Sequence, residues 1–139
     1  MRWWLIAGAA LYALLSPNQA NSVIAPILPL ILPTPTALEV AQEEWIDALA
    51  QCESSNNPNA VNQMDIDGTP SFGLLQFKKS TFAALSKEYD IGTDDYMDPV
   101  AQREIVRRML ADPYFTDAEL RNRQFPGCIR NTVGLPPRK

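Results

Sequence analysis

Trp45-Ile46-Asp47-Ala48-Leu49-Ala50-Gln51-Cys52-Glu53-Ser54-Ser55-Asn56-Asn57-Pro58 is the stretch on which the fold turns. Together with the residues before it, it carries apolar side chains at three- and four-residue steps: Leu38, Ala41, Trp45, Ala48, Leu49 and Cys52. That recurrence marks one face of an α-helix. Thr36-Ala37-Leu38-Glu39 has capping-box spacing, so the helix is expected to begin there. It is expected to end within Asn56–Asn59, because the residue before Pro58 is pushed out of the α region. Glu53 follows Leu49 by four residues and Trp45 by eight, which puts its carboxylate on the core side of the last turn. A helix C-terminus carries partial negative charge and opposes an anion there. Burial and dipole together push a carboxyl above its ordinary pKa of about 4.3. On position alone, the ordinary reading is a glutamate that frays into solvent.

Downstream, Ala60 to Pro70 is polar and turn-rich, and Phe72 to Phe77 is a short apolar run, so this section is read as a small hairpin or as loops. A second helix is expected from about Ser80, burying Phe82, Leu85 and Tyr89. Asp98-Pro99 pairs an N-cap with proline at the first helical position. The helix it opens should turn Ile105, Val106, Met109 and Leu110 inward and leave Arg103, Glu104, Arg107 and Arg108 mostly solvated. Asp112-Pro113 stops it, and Thr116-Asp117-Ala118-Glu119 offers another capping box for a short last helix. The expected class is mainly α, a small helical domain with a short hairpin or loop insertion after the helix that presents Glu53.

The first 35 of the 139 residues contain a single charged side chain, Arg2. A basic start, an apolar run from Trp3 to Leu15 and the sequence Ser16-Pro17-Asn18-Gln19-Ala20 have the order of a secretory signal. The run is shorter than the roughly 20 residues of a spanning helix. Residues 1–20 are therefore read as a signal peptide, with an uncleaved membrane anchor as the alternative. Val23 to Pro35 is apolar but broken by Pro26, Pro29, Pro33 and Pro35, which forbids a regular helix. Residues 21–35 are read as a spacer and 36–139 as the domain. The chain is expected to be exported, to an extracellular, periplasmic or wall-associated location, and to meet a membrane only through its N-terminal segment.

The charge balance is 12 basic to 16 acidic residues, with no basic stripe. That argues against nucleic acid as a partner. Histidine is absent, which removes histidine triads and histidine-ligated metals. Asp65-Ile66-Asp67-Gly68 opens like a calcium loop but lacks the remainder of one, so it reads as a polar turn and no metal is expected. The only two cysteines, Cys52 and Cys128, form a disulfide if the chain leaves the reducing cytosol and are buried thiols otherwise.

Gln51-Cys52-Glu53-Ser54-Ser55-Asn56-Asn57-Pro58-Asn59-Ala60-Val61-Asn62, followed by Ser71-Phe72-Gly73-Leu74-Leu75-Gln76-Phe77 and Ser80-Thr81-Phe82, resembles the SLT-like lytic transglycosylases. In that family a helix ends in Glu-Ser, an Asn-Pro-x-Ala segment follows, and a Gly-Leu-x-Gln turn comes about twenty residues later. The cysteine before Glu53 and the Leu-Gln-Phe wording also resemble resuscitation-promoting-factor domains, which share the lysozyme-like fold. The resemblance covers Trp45 to Phe82 well and Asp98 to Cys128 more loosely. It implies an α+β lysozyme-like domain that cleaves the MurNAc-GlcNAc β-1,4 bond of peptidoglycan glycan strands as a monomer without a cofactor. It makes Glu53 the acid/base and Ser54 the brace of the adjoining loop, with Ser71, Gly73 and Gln76 lining the saccharide groove.

A carboxylic acid held protonated near neutral pH suits such cleavage, since the leaving oxygen must gain a proton. An amide at Gln76 both donates to and accepts from sugar hydroxyl and N-acetyl groups, and Gly73 permits close backbone approach. The Ala-Tyr-Asn-Ala-Gly segment found late in many family members is missing. Tyr114 and Phe125 are the nearest aromatic substitutes. A hydrolase would need a second carboxylate; Asp65, Asp67, Asp94 and Asp95 exist, but no spacing sets one against Glu53. The alternatives are a lysozyme-type hydrolase of the same bond and a non-catalytic peptidoglycan-binding module.

Overall fold

Two capping boxes, an aspartate–proline start and two two-residue strands account for most of the architecture. The computed structural model describes residues 33–65 and 67–138. The expected signal segment and nearly all of the spacer lie outside the described residues. Helix α1 runs Ala37–Ser54; Thr36 caps it, accepting from Glu39 N–H while the Glu39 carboxylate accepts from Thr36 N–H at 2.6 Å. Strands β1 (Val61–Asn62) and β2 (Ser71–Phe72) pair antiparallel, Val61 opposite Phe72 and Asn62 opposite Ser71. Helix α2 is Lys79–Glu88. Helix α3 is Pro99–Ala111, with the Asp98 side chain accepting from Val100 and Ala101 N–H. The chain then enters a broken helical tail: α4 (Asp117–Glu119) opened by the Thr116 capping box, a π-helical turn Leu120–Gln124, α5 (Pro126–Cys128) and a second π-helical turn Ile129–Val133. Mainly helical with one two-stranded sheet, the domain has the α+β lysozyme-like class expected.

The core gathers one face of each helix. Trp45, Ile46, Leu49 and Ala50 of α1 meet Phe82 and Leu85 of α2, and Ile105, Val106, Met109 and Leu110 of α3. Leu120, Phe125, Cys128 and Ile129 of the tail close it. The buried arc of α1 differs from the expected one. Ala48 is exposed, while Ile46 and Ala50 are buried. α1 packs against both α3 and the tail, so its covered arc is wider and turned one residue around the helix. Tyr89 is half-buried against the core, and its hydroxyl bonds Asp112.

Ion pairs on the wet side tie α3 to α1. Arg107 grips Glu43, and Arg103 Nη2 lies 2.5 Å from Asp47 Oδ1. The tail returns to α1, where Trp45 Nε1 donates to Gly134 O at 3.1 Å and Gln42 Nε2 to Pro137 O at 3.1 Å. The Cys52 and Cys128 sulfurs are bonded, with Cα atoms 5.8 Å apart at a sequence separation of 76. Among the described residues, no helix is long and apolar enough to cross a membrane.

Candidate active site

Helix α1 ends at Ser54 because Ser55 and Asn56 both turn left-handed, at φ 55° and 61°. Ser55 N–H donates to the Ala50 and Gln51 carbonyls and closes the last turn. Glu53 therefore stands on the final turn, on the same side as Leu49 and Ala50, half covered. It opens into a groove of about 720 Å³. Cys52 and Glu53 line that groove from α1, Asp65 and Asp67 from the β1–β2 connection, Gln76–Lys78 and Thr81 from the turn before α2 and α2 itself, and Asn122–Cys128 from the tail. Burial pushes the Glu53 carboxyl up to about 7, and the negative charge of Asp65 pushes it the same way. Removing a carboxylate from water penalises its charged form, and a like charge nearby adds to that penalty.

The turn that flanks Glu53 is held from two directions. From α1, Ser54 Oγ lies 2.7 Å from Leu74 O and 3.1 Å from Ala50 O, bracing the loop beside the acid. From α3, Gln102 is fully buried. Its Oε1 accepts from Leu75 N–H at 2.7 Å, and its Nε2 donates to Phe72 O at 3.0 Å and Tyr96 O at 2.6 Å. Within the turn, Phe72 and Phe77 exchange backbone hydrogen bonds of 2.9 and 3.0 Å. Ser71, itself buried, donates to Gln76 Oε1 at 3.0 Å, and Gln76 Nε2 donates to Gly73 O at 2.7 Å. Gly73 takes φ +77°, and a Cβ there would sit 2.2 Å from Gln102 Nε2.

The family model of the transglycosylase SLT domain matches residues 37–116. The chain belongs to that family. Curated proteins and solved structures yielded no match at a significant level. The matched span takes in Glu53, Ser54, Ser71, Gly73 and Gln76, and it stops at Thr116. The groove segment Asn122–Cys128 lies beyond the matched residues, and the disulfide binds it to Cys52, the residue beside Glu53.

Of the residues singled out from sequence, Glu53, Cys52, Cys128 and Gln76 border the groove. Ser54 lies behind Glu53. Ser71 and Gly73 face inward, and the close approach at Gly73 is to Gln102. Phe125 borders the groove but is 2% exposed, stacked edge-on against Phe77 at 5.8 Å; Tyr114 is 89% exposed and is not part of the lining. Asp65 and Asp67 border the groove, whereas Asp94 and Asp95 do not. Sequence reasoning overlooked Gln102. The signal was present: an amide three residues before Ile105, four before Val106 and seven before Met109 lies on the buried face of the helix.

Proposed function

We propose that this SLT domain cleaves the MurNAc-GlcNAc β-1,4 bond of peptidoglycan by the lytic route, with Glu53 acting first as acid and then as base. The supporting observation is the placement of one glutamate, pushed up to about 7, in a groove of a domain whose family is of the peptidoglycan lytic transglycosylase type. A carboxyl with that value is substantially protonated at neutral pH yet loses its proton readily, as a group that both gives and takes a proton requires. In the forward step the Glu53 proton goes to the bridging oxygen as the bond from C1 of the muramic acid breaks. The carboxylate then takes the proton from the C6 hydroxyl of the same sugar as that oxygen closes on C1. The products are a new GlcNAc 4-hydroxyl and a 1,6-anhydro end.

Ser54 holds the loop beside Glu53, and Ser71, Gly73, Gln76 and Gln102 together keep the turn in shape. Gln76 Nε2 donates to Gly73 O and Ala60 O and its Oε1 accepts from Ser71, so what Gln76 contributes to substrate is the remaining acceptor capacity of Oε1. Glycan strands are the partner, the domain works as a monomer, and export places it where peptidoglycan is found. The second reading is a hydrolase of the same bond, favoured by the presence of Asp65 in the groove. Purified sacculi incubated with the wild-type and Glu53→Gln proteins test the proposal. Solubilisation by the wild type only is expected, since general acid catalysis contributes about 10² to 10⁴-fold. Equal solubilisation by both would remove Glu53 from its role. Binding to sacculi without any solubilisation would make the domain a binding module.

A further inference from the structure

Gln76 has no donor left to offer a ligand, because both protons of its amide are spent on Gly73 O and Ala60 O. Lys78, one of the two cations bordering the groove, is tied to Asp67 and to Thr69 Oγ1. The tail segment of the groove is different. Leu120 and Phe125 are buried, and Phe125 N–H donates to Leu120 O at 2.9 Å to close the π-helical turn between them. Of the residues in that turn, Asn122, Arg123 and Gln124 border the groove. Asn122 Oδ1 accepts from Arg130 Nη2 at 2.6 Å, which leaves its Nδ2 to donate. Arg123 is exposed and Gln124 half-buried, and neither side chain makes a hydrogen bond or an ion pair among the described residues. The charge of Arg123 acts on Glu119, four residues earlier, but the Glu119 carboxylate is itself bonded to Thr116 N–H at 2.9 Å.

This turn is fixed in place. Leu120 and Phe125 anchor its two ends in the core, Phe125 stacks edge-on against Phe77 at 5.8 Å, and the disulfide joins Cys128 to Cys52. A lone exposed arginine is ordinarily a solvated surface charge. Arg123 differs in bordering the groove that holds Glu53, next to an uncommitted amide on the same rigid wall. A muramyl glycan presents the matching groups: N-acetyl carbonyls, hydroxyls, and carboxylates on its lactyl ethers or stem peptides. A guanidinium takes a carboxylate with two parallel N–H donors, and an amide both donates to and accepts from neutral groups. We propose that Arg123 and Gln124 are specificity-determining residues of this groove, Arg123 binding a carboxylate of the muramyl glycan and Gln124 its neutral groups. The inference rests on the peptidoglycan reading of the groove and is independent of which residue supplies the proton.

Titration calorimetry on the full disulfide-bonded chain carrying Glu53→Gln reads binding apart from cleavage. Three ligands are compared: a GlcNAc oligosaccharide without carboxylates, a peptide-free MurNAc-GlcNAc strand, and the same strand with stem peptides. Adding Arg123→Gln should weaken the carboxylate-bearing strands roughly three- to tenfold, the scale of a charge-assisted hydrogen bond partly screened by solvent. The neutral ligand should be unaffected, and the loss should shrink in high salt. Arg123→Lys should recover part of the affinity, whereas Gln124→Ala should weaken all three ligands alike. Whichever strand suffers from Arg123→Gln locates the carboxylate, on the lactyl group or on the stem peptide. An equal loss on all three ligands, or no loss on any, overturns the role of Arg123 and leaves the peptidoglycan reading standing. If the Glu53→Gln chain binds none of them, peptidoglycan is not the ligand and the proposal falls with that reading.

Discussion

Replacing Glu53 by glutamine should stabilise the protein at alkaline pH. In the folded chain the carboxyl is pushed from 4.5 to about 7 by burial and by Asp65. The native state therefore holds this proton more tightly than the unfolded chain does. That contribution is fully present below about pH 4.5, falls as the unfolded chain releases the proton, and is gone once the pH passes about 7. At about 1.4 kcal/mol per pH unit the loss is at most about 3 kcal/mol, and roughly 1 to 3 once solvent at the groove mouth is allowed for. Glutamine has nearly the same shape and no charge to desolvate. Wild type and Glu53→Gln should then unfold alike at pH 4, whereas at pH 8.5 the variant should melt roughly 5 to 15 °C higher. Urea or thermal denaturation at five or six pH values gives the difference curve. A difference that stays flat with pH would mean that Glu53 is not held as an acid, and the reasoning from its burial would fail.

Three further outcomes are expected. Replacing Cys52 and Cys128 together by serine should lower stability by very roughly 2 to 5 kcal/mol in denaturant titrations, and alkylation of the denatured but unreduced exported protein should label neither cysteine. Gly73→Ala and Gly92→Ala both place a Cβ at φ +77°, but only the former meets a neighbour, Gln102 Nε2 at 2.2 Å. Gly92→Ala should cost about 1 kcal/mol of conformational strain, and Gly73→Ala clearly more; equal losses would refute the clash. A reporter without its own signal, fused after Thr36, should be active only outside the cytoplasmic membrane, and activity in the cytoplasm would refute the export reading.

The parts of the fold that local chemistry specifies were readable in advance. Thr36 with Glu39, Asp98 with Pro99, and Thr116 with Glu119 each mark a helix start, and the three helices they open begin on those marks. What depends on tertiary neighbours was not readable. The period of α1 does not reveal that two elements cover it, so Ile46 and Ala50 were missed and Ala48 was included. The tail looks polar through Arg121-Asn122-Arg123, and only with Leu120, Phe125 and Ile129 buried beneath it does it become a groove wall. Glu53 was legible because its position relative to Leu49 is a matter of helical geometry alone. Asp65 was not, since its place in the groove depends on how the connection between two two-residue strands folds back and on the reach of Lys78. Gln102 lay between these cases: its position on the buried face is periodic, but two of the three backbone groups it satisfies, Phe72 O and Leu75 N–H, come from a distant segment.

Mass spectrometry of the glycan termini released from purified sacculi tests the central claim most directly. The account predicts muropeptides ending in 1,6-anhydro muramic acid from the wild-type protein, and their loss when Glu53 is replaced by glutamine. Reducing ends formed with uptake of water would contradict the lytic route, and anhydro ends released unchanged by Glu53→Gln would contradict the assignment of the acid.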